Sequence, residues 1–118
     1  MNRNFEDLSK EDLYEQGELF LDCSDGLRFI DFCDHQDLAV IGIEGGKYED
    51  IFTPDVNLIQ DYSSLNAKNW IEFRLLCNSK ARTFLQQFAD ATEFRFYLVF
   101  IKEIDMALSK SNDWKSRS

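Results

Sequence analysis

Proline occurs once in this chain and glycine five times in 118 residues, which excludes a long flexible linker. Cysteine occurs three times, as Cys23, Cys33 and Cys77. The number is odd and the spacing is not that of a disulfide framework, so free, buried thiols in a reducing cytosol are expected. Residues 1–12 are rich in charge and lack the apolar stretch of a signal peptide. No segment approaches the ~20 apolar residues a membrane helix needs. Basic side chains are too few to balance the acidic ones, leaving a formal charge of −9. Such a chain is poorly suited to phosphate backbones, so nucleic acid is not expected as a direct ligand.

Aromatic residues are plentiful. They make up 14% of the chain, eleven of them phenylalanine, a content that excludes a disordered acidic tail. A chain of this length forms one domain and can bury roughly two-thirds of its unfolded surface without staples. Residues 1–17 read as an N-terminal extension or a short helix between Ser9 and Gly17. Residues 109–118 read as a frayed polar tail, in which Trp114 either folds back or touches another subunit.

Between these ends the hydrophobic pattern alternates between the two regular periods. Residues 18–22 (ELFLD) read as a strand. Ser24 is the expected N-cap of a first helix over 27–36, where Leu27, Phe29, Ile30, Phe32 and Cys33 recur at helical spacing. Residues 38–44 (LAVIGIE) suit a buried strand, broken by Gly45-Gly46. Residues 47–56 read as an acidic loop and 57–62 as a further strand.

Trp70, Phe73, Cys77, Ala81, Phe84 and Phe88 step by three or four residues, which predicts a helix from about 66 to 87. Asn78-Ser79 is the one place where that helix could break and restart. Residues 94–102 (FRFYLVFIK) alternate strictly and predict a central strand, with a short helix through Leu108 after it. The order strand–helix–strand, strand–helix–strand predicts an α+β two-layer fold. Two helices would cover one face of a four-stranded, mainly antiparallel sheet, with a ferredoxin-like split βαβ favoured.

Charge is divided unevenly along the length. Residues 1–65 hold 16 acidic and 4 basic side chains, a net of −12, and residues 66–118 hold 6 and 9, a net of +3. Fold stability does not require such sorting, whereas an acidic surface aimed at a basic partner would use it.

No catalytic or metal constellation accompanies this surface. His35 is the sole histidine and lies two residues from Cys33 on a helix, so their side chains diverge. Asp22, Asp25, Asp31, Asp34 and Asp37 do not follow calcium-loop spacing. Gly42, Gly45 and Gly46 lack the pattern and the following helix of a phosphate loop. No cofactor and no metal are expected, and the chain is not expected to be an enzyme. The segment Glu44, Tyr48, Glu49, Asp50, Phe52 and Asp55 mixes carboxylates with aromatics, as interfaces do. Tyr48 and Phe52 could equally fold back on the core.

The stretch ELFLDCSDGLRFIDFCDHQDLAVIGIEGG, followed by an aromatic-rich helix and FRFYLVFIK, resembles the small acidic α+β immunity proteins of bacterial polymorphic and contact-dependent toxin systems. The resemblance implies a cytoplasmic inhibitor that uses its acidic surface to bind the basic surface of a cognate toxin, such as a nuclease. An inhibitor that places carboxylates where phosphates would lie gains encounter rate and selectivity. The charged set is then Asp31, Asp34, Asp37, Glu44, Glu49 and Asp50, with Tyr48 as anchor. The alternative is a small-molecule-sensing or regulatory dimerisation domain built on the open sheet face.

Overall fold

A computed structural model describes residues 21–48 and 51–105. Its elements are α1 (Cys23–His35), β1 (Ala39–Tyr48), β2 (Phe52–Asp61), α2 (Trp70–Gln86) and β3 (Phe94–Ile101). The class is α+β, with both helices on one face of an antiparallel sheet. The described sheet has three strands in the order β2-β1-β3, not four.

Because β1 is antiparallel to both neighbours, β2 and β3 run in the same direction, joined through α2. This is a split βαβ unit with β1 inserted. A ferredoxin-like order would put residues 18–22 and 57–62 at the centre, whereas here residues 39–48 are central. The reason lies in β1, whose inward Ile43 is fully buried and which pairs along its whole length with β3. Of the strand expected at 18–22, Leu21 forms an isolated bridge to Phe96, exchanging hydrogen bonds of 2.8 and 2.7 Å. Residues 18–20, the helix expected before Gly17 and the polar tail with Trp114 lie outside the described residues. Residues 103–105 form a helical turn; the rest of that expected helix, to Leu108, also lies outside them.

The helix α1 begins earlier than Ser24 predicts. Asp22 is the N-cap, and its carboxylate accepts from the Asp25 amide at 2.8 Å, satisfying one of the free donors of the first turn. At the other end Asp37 has φ 60°, and the Leu38 amide donates to the Cys33 carbonyl at 2.8 Å. This is a Schellman closure with aspartate in the left-handed position where glycine is usual. The helix α2 is continuous through Asn78-Ser79. Asn69 caps it, accepting from the Glu72 amide at 2.9 Å, and Glu72 accepts in turn from the Lys68 amide. The two helices meet closely at Gly26, where a Cβ would lie 2.8 Å from Leu85 Cδ1.

The core forms between the helices and the inner face of the sheet. Phe96, Leu98 and Phe100 of β3 are buried, with Phe29, Ile30, Ile43, Phe73, Cys77 and Leu85. Phe96 sits edge-on to Phe84 at 6.2 Å, with Phe88 at 5.4 Å, a favourable arrangement for aromatic quadrupoles.

Gly45-Gly46 does not end the strand; β1 runs through it to Tyr48. A Cβ at Gly45 would come 2.8 Å from Leu58 Cβ and 3.0 Å from Phe96 Cδ1, so glycine is what lets neighbouring strands close over this position. A Cβ at Gly46 would press still closer on the Thr53 carbonyl oxygen and would lie 2.9 Å from Pro54 Cα. Because those obstacles are backbone, Gly46→Ala is expected to cost about 1–3 kcal/mol. A shift of the urea midpoint at unchanged slope will measure it. The strand β2 likewise begins at Phe52, inside the expected loop. Pro54 is tolerated there because β2 is an edge strand.

Candidate functional site

The seven residues predicted to meet a partner separate into three groups. Asp31, Asp34 and Asp37 lie along the C-terminal half of α1 and its cap, facing α2. Arg82 donates through Nε and Nη2 to Asp31 Oδ1 at 3.1 and 2.9 Å, and through Nη2 to Asp34 Oδ2. Arg74 donates to the Asp34 carbonyl oxygen and places Nε 3.5 Å from Asp37 Oδ1. Trp70 Nε1 donates to the same Asp37 oxygen at 2.8 Å. Burial works against the Arg82 charge, but its hydrogen bonds to Asp34 and Asp31 outweigh that and hold its pKa above the ordinary value.

Arg82, a basic residue of the second half of the sequence, thus pairs with Asp31 and Asp34, and Arg74 stands beside Asp37, while the Asp31 and Asp37 side chains stay 65% and 60% exposed. At the centre of the network lies Asn78, the one fully buried polar side chain among the described residues. Its Oδ1 accepts from the Val40 amide at 2.8 Å, while Nδ2 donates to Asp34 Oδ1 at 2.7 Å and to the Leu38 carbonyl at 3.0 Å. One amide thereby ties α2 to the end of α1 and the start of β1. Sequence reasoning saw Asn78 only as a break. The usable signal was the spacing of Arg74, Asn78 and Arg82, which puts three polar groups on one stripe beside the apolar one.

Glu44 and Tyr48 form the second group. Both project from β1 on the face away from the helices. Glu44 is flanked across the strands by Ile59 and Tyr97, is exposed, and has no ion pair among the described residues. Tyr48 is 44% exposed, and the Arg95 guanidinium lies over its ring at 5.8 Å, within cation–π range. Arg95 is held there by donating Nη1 to the Thr92 and Phe94 carbonyls at 2.6 and 2.8 Å. Phe52 pairs opposite Tyr48 and its ring tip lies where a Gly46 Cβ would be. The alternative in which Tyr48 and Phe52 fold into the core is therefore not what the chain adopts. Tyr97 and Val99, half-buried, continue this face along β3. Glu49 and Asp50, the third group, lie outside the described residues.

Chemistry at the remaining titratable groups is limited by burial. His35 donates its Nδ1–H to the Asp31 carbonyl oxygen at 2.8 Å, a last-turn contact that closes the helix. Burial, reinforced by Asp34, pushes the Cys33 thiol far up, and burial alone lifts Cys77 to about 11. Burial and Asp22 raise Cys23, whose thiol donates to the Leu85 carbonyl at 3.0 Å. These are protonated core thiols and not nucleophiles. No group of histidine, cysteine and carboxylate side chains among the described residues could hold a metal ion, and no described helix is long and apolar enough to cross a membrane.

The raised thiols make alkaline stability predictable. Tyr62, also buried, is lifted to about 12. In the unfolded chain these groups ionise near 9 for cysteine and 10 for tyrosine. Their contribution is fully present below about pH 9 and is lost as pH climbs through the folded values. Urea midpoints are expected to hold from pH 7 to 8.5 and to fall steadily above pH 9.

No protein-family model matches this chain, and no curated protein matches it.

Proposed function

We infer that this chain is a non-catalytic protein-binding module whose contact surface is the open face of the sheet at the β1–β2 hairpin. The observation that carries the reading is the pairing of an exposed carboxylate without an ion pair among the described residues, Glu44, with an exposed tyrosine stacked on a fixed arginine. Tyrosine and arginine are the side chains that interfaces use as anchors. Glu49 and Asp50, next in sequence after Tyr48, add negative charge. The charge excess of the whole chain directs this surface to a basic partner.

Within that class, the reading is an immunity protein of a bacterial polymorphic or contact-dependent toxin system. It would act in the cytoplasm by covering the basic groove of a cognate toxin such as a nuclease. The neutralised carboxylates of α1 narrow the contact set to Glu44, Tyr48, Glu49 and Asp50. Asp31, Asp34 and Asp37 become residues that hold the scaffold.

The test is affinity capture from the source cell with the intact chain and with a Glu44→Lys/Tyr48→Ala variant in parallel. A basic protein should be retained by the intact chain at low salt, released at moderate salt and lost by the variant. Co-production of the chain should then restore growth of cells making the captured protein. Equal retention by both chains overturns the proposed surface, and growth arrest that co-production leaves unrelieved overturns the immunity reading.

A further inference from the structure

Among the described residues, the outer edge of β2 is half closed and half open. In its first half Pro54 removes a donor, and the single residue Gly45 of β1 stands opposite residues 55–58, so the strand bulges away from regular pairing. Asp55 there accepts from the Asn57 amide at 2.9 Å, closing a local turn. Proline and bulges are the usual devices that keep a sheet edge from pairing with another chain. Neither device protects the second half.

Regular pairing resumes there, with Ile59, Gln60 and Asp61 opposite Glu44, Ile43 and Gly42. The Tyr62 amide donates inward to the Ile41 carbonyl at 2.7 Å. By the two-residue period, Gln60 also turns its backbone toward β1, while Ile59 and Asp61 turn theirs outward. The outward Ile59 carbonyl is met by the Gln60 side chain, which donates to it at 3.1 Å in an exposed bond. The Ile59 side chain is itself 48% exposed.

A groove of about 460 Å³ runs beside this open half, between β2 and α2. Tyr62, Leu76 and Phe84 supply its apolar surface, and Gln60, Ser79, Lys80, Thr83 and Gln87 supply a polar surface of similar extent. From Leu76 the apolar surface continues along α2 to Leu75 and Ile71, which are exposed. An edge strand beside a helix-lined groove has two complementary needs. The strand needs main-chain partners in extended form, and the groove needs alternate side chains of that same segment.

We propose that the Ile59–Asp61 edge of β2 and its groove against α2 form a docking site for an extended segment of a partner protein, which adds to the sheet as a further strand. Groove-facing side chains of that segment are apolar, to meet Tyr62, Leu76 and Phe84. Those on the opposite face are basic, because Asp61 and Glu44 border that side. Two hydrogen bonds from Ser63 hold the Asp61 carboxyl below its ordinary pKa, so it is ionised at neutral pH. A second copy of this chain suits the edge poorly: each copy carries −9, and edge-to-edge pairing brings the two Asp61 residues to one seam. This site rests on the reading of the chain as a binding module for a basic protein and extends it to a strand-forming segment.

The probe is a capped peptide of alternating valine and lysine, about ten residues long, titrated into the isotope-labelled chain. Amide resonances of Ile59 and Asp61 should shift and gain protection from exchange. Ile59→Pro removes an outward donor without touching the β1 ladder and should weaken binding about tenfold. Leu76→Lys, at a partly exposed position, should weaken it by spoiling the groove. Retained protection of the Gln60 and Tyr62 amides shows that each variant is folded. Equal binding by Ile59→Pro, equal binding of a proline–lysine peptide of the same charge, or shifts confined to Tyr97 and Val99 would each overturn the site. So would dimerisation of the chain through this edge. A captured partner lost by Tyr48→Ala but kept by Ile59→Pro overturns the edge site and leaves the function standing.

Discussion

Asn78→Ala is expected to destabilise the domain by about 3–5 kcal/mol, a large part of the 5–15 kcal/mol typical of a domain. The side chain is fully buried and serves three groups at once, the Val40 amide, the Leu38 carbonyl and Asp34 Oδ1. Alanine leaves a buried amide and a buried carbonyl without partners, each costing about 1–3 kcal/mol. It also leaves Asp34 dependent on Arg82 alone. Asn78→Asp separates the two halves of the effect. The acceptor for Val40 survives, but a carboxylate then faces Asp34 and the Leu38 carbonyl, so this variant should be at least as unstable at pH 7 and should recover in part as the pH falls. Urea unfolding of the three proteins at two pH values measures both effects. An Asn78→Ala loss below 1 kcal/mol would contradict the network.

Phe96→Ala is the second large effect, at about 3–5 kcal/mol. Phe96 is fully buried and touches Phe84 and Phe88 of the α2 side while filling the space over Gly45. Its backbone also holds the Leu21 bridge. Removing the ring opens a cavity that rigid β-strands close poorly, so the cost should sit at the upper end of that range. Phe96→Leu keeps most of the volume and should cost under about 1.5 kcal/mol. If both substitutions cost the same, cavity formation is not the cause.

The parts of this molecule written in local pattern were legible in the sequence. The stripe from Trp70 to Phe88 gave the helix α2 and its buried face, and the alternation of Phe94 to Ile101 gave β3 with Phe96, Leu98 and Phe100 inward. What depends on packing between distant segments was not legible. Gly45-Gly46 looks like a strand end because glycine is intrinsically poor in strands, yet here Leu58 and Phe96 leave no room for a Cβ. Pro54 looks like a loop because nothing local says that β2 is an edge.

The acidic half misled for a similar reason. Asp31 and Asp34 are paired by Arg82 at separations of 51 and 48 residues, and a charge census along the chain cannot show which arginine folds back onto which carboxylate. Of the predicted contact set, the structure joins Glu44 and Tyr48 on one open face and assigns Asp31, Asp34 and Asp37 to the seam between the helices.

That division of the carboxylates can be checked by measuring association of the captured basic protein across a range of salt with Asp31→Asn and Glu44→Gln chains. Each substitution removes one negative charge. Glu44→Gln should slow association and flatten its salt dependence, while Asp31→Asn should lower stability and leave association unchanged. Equal slowing by the two, or slowing by Asp31→Asn alone, would contradict it.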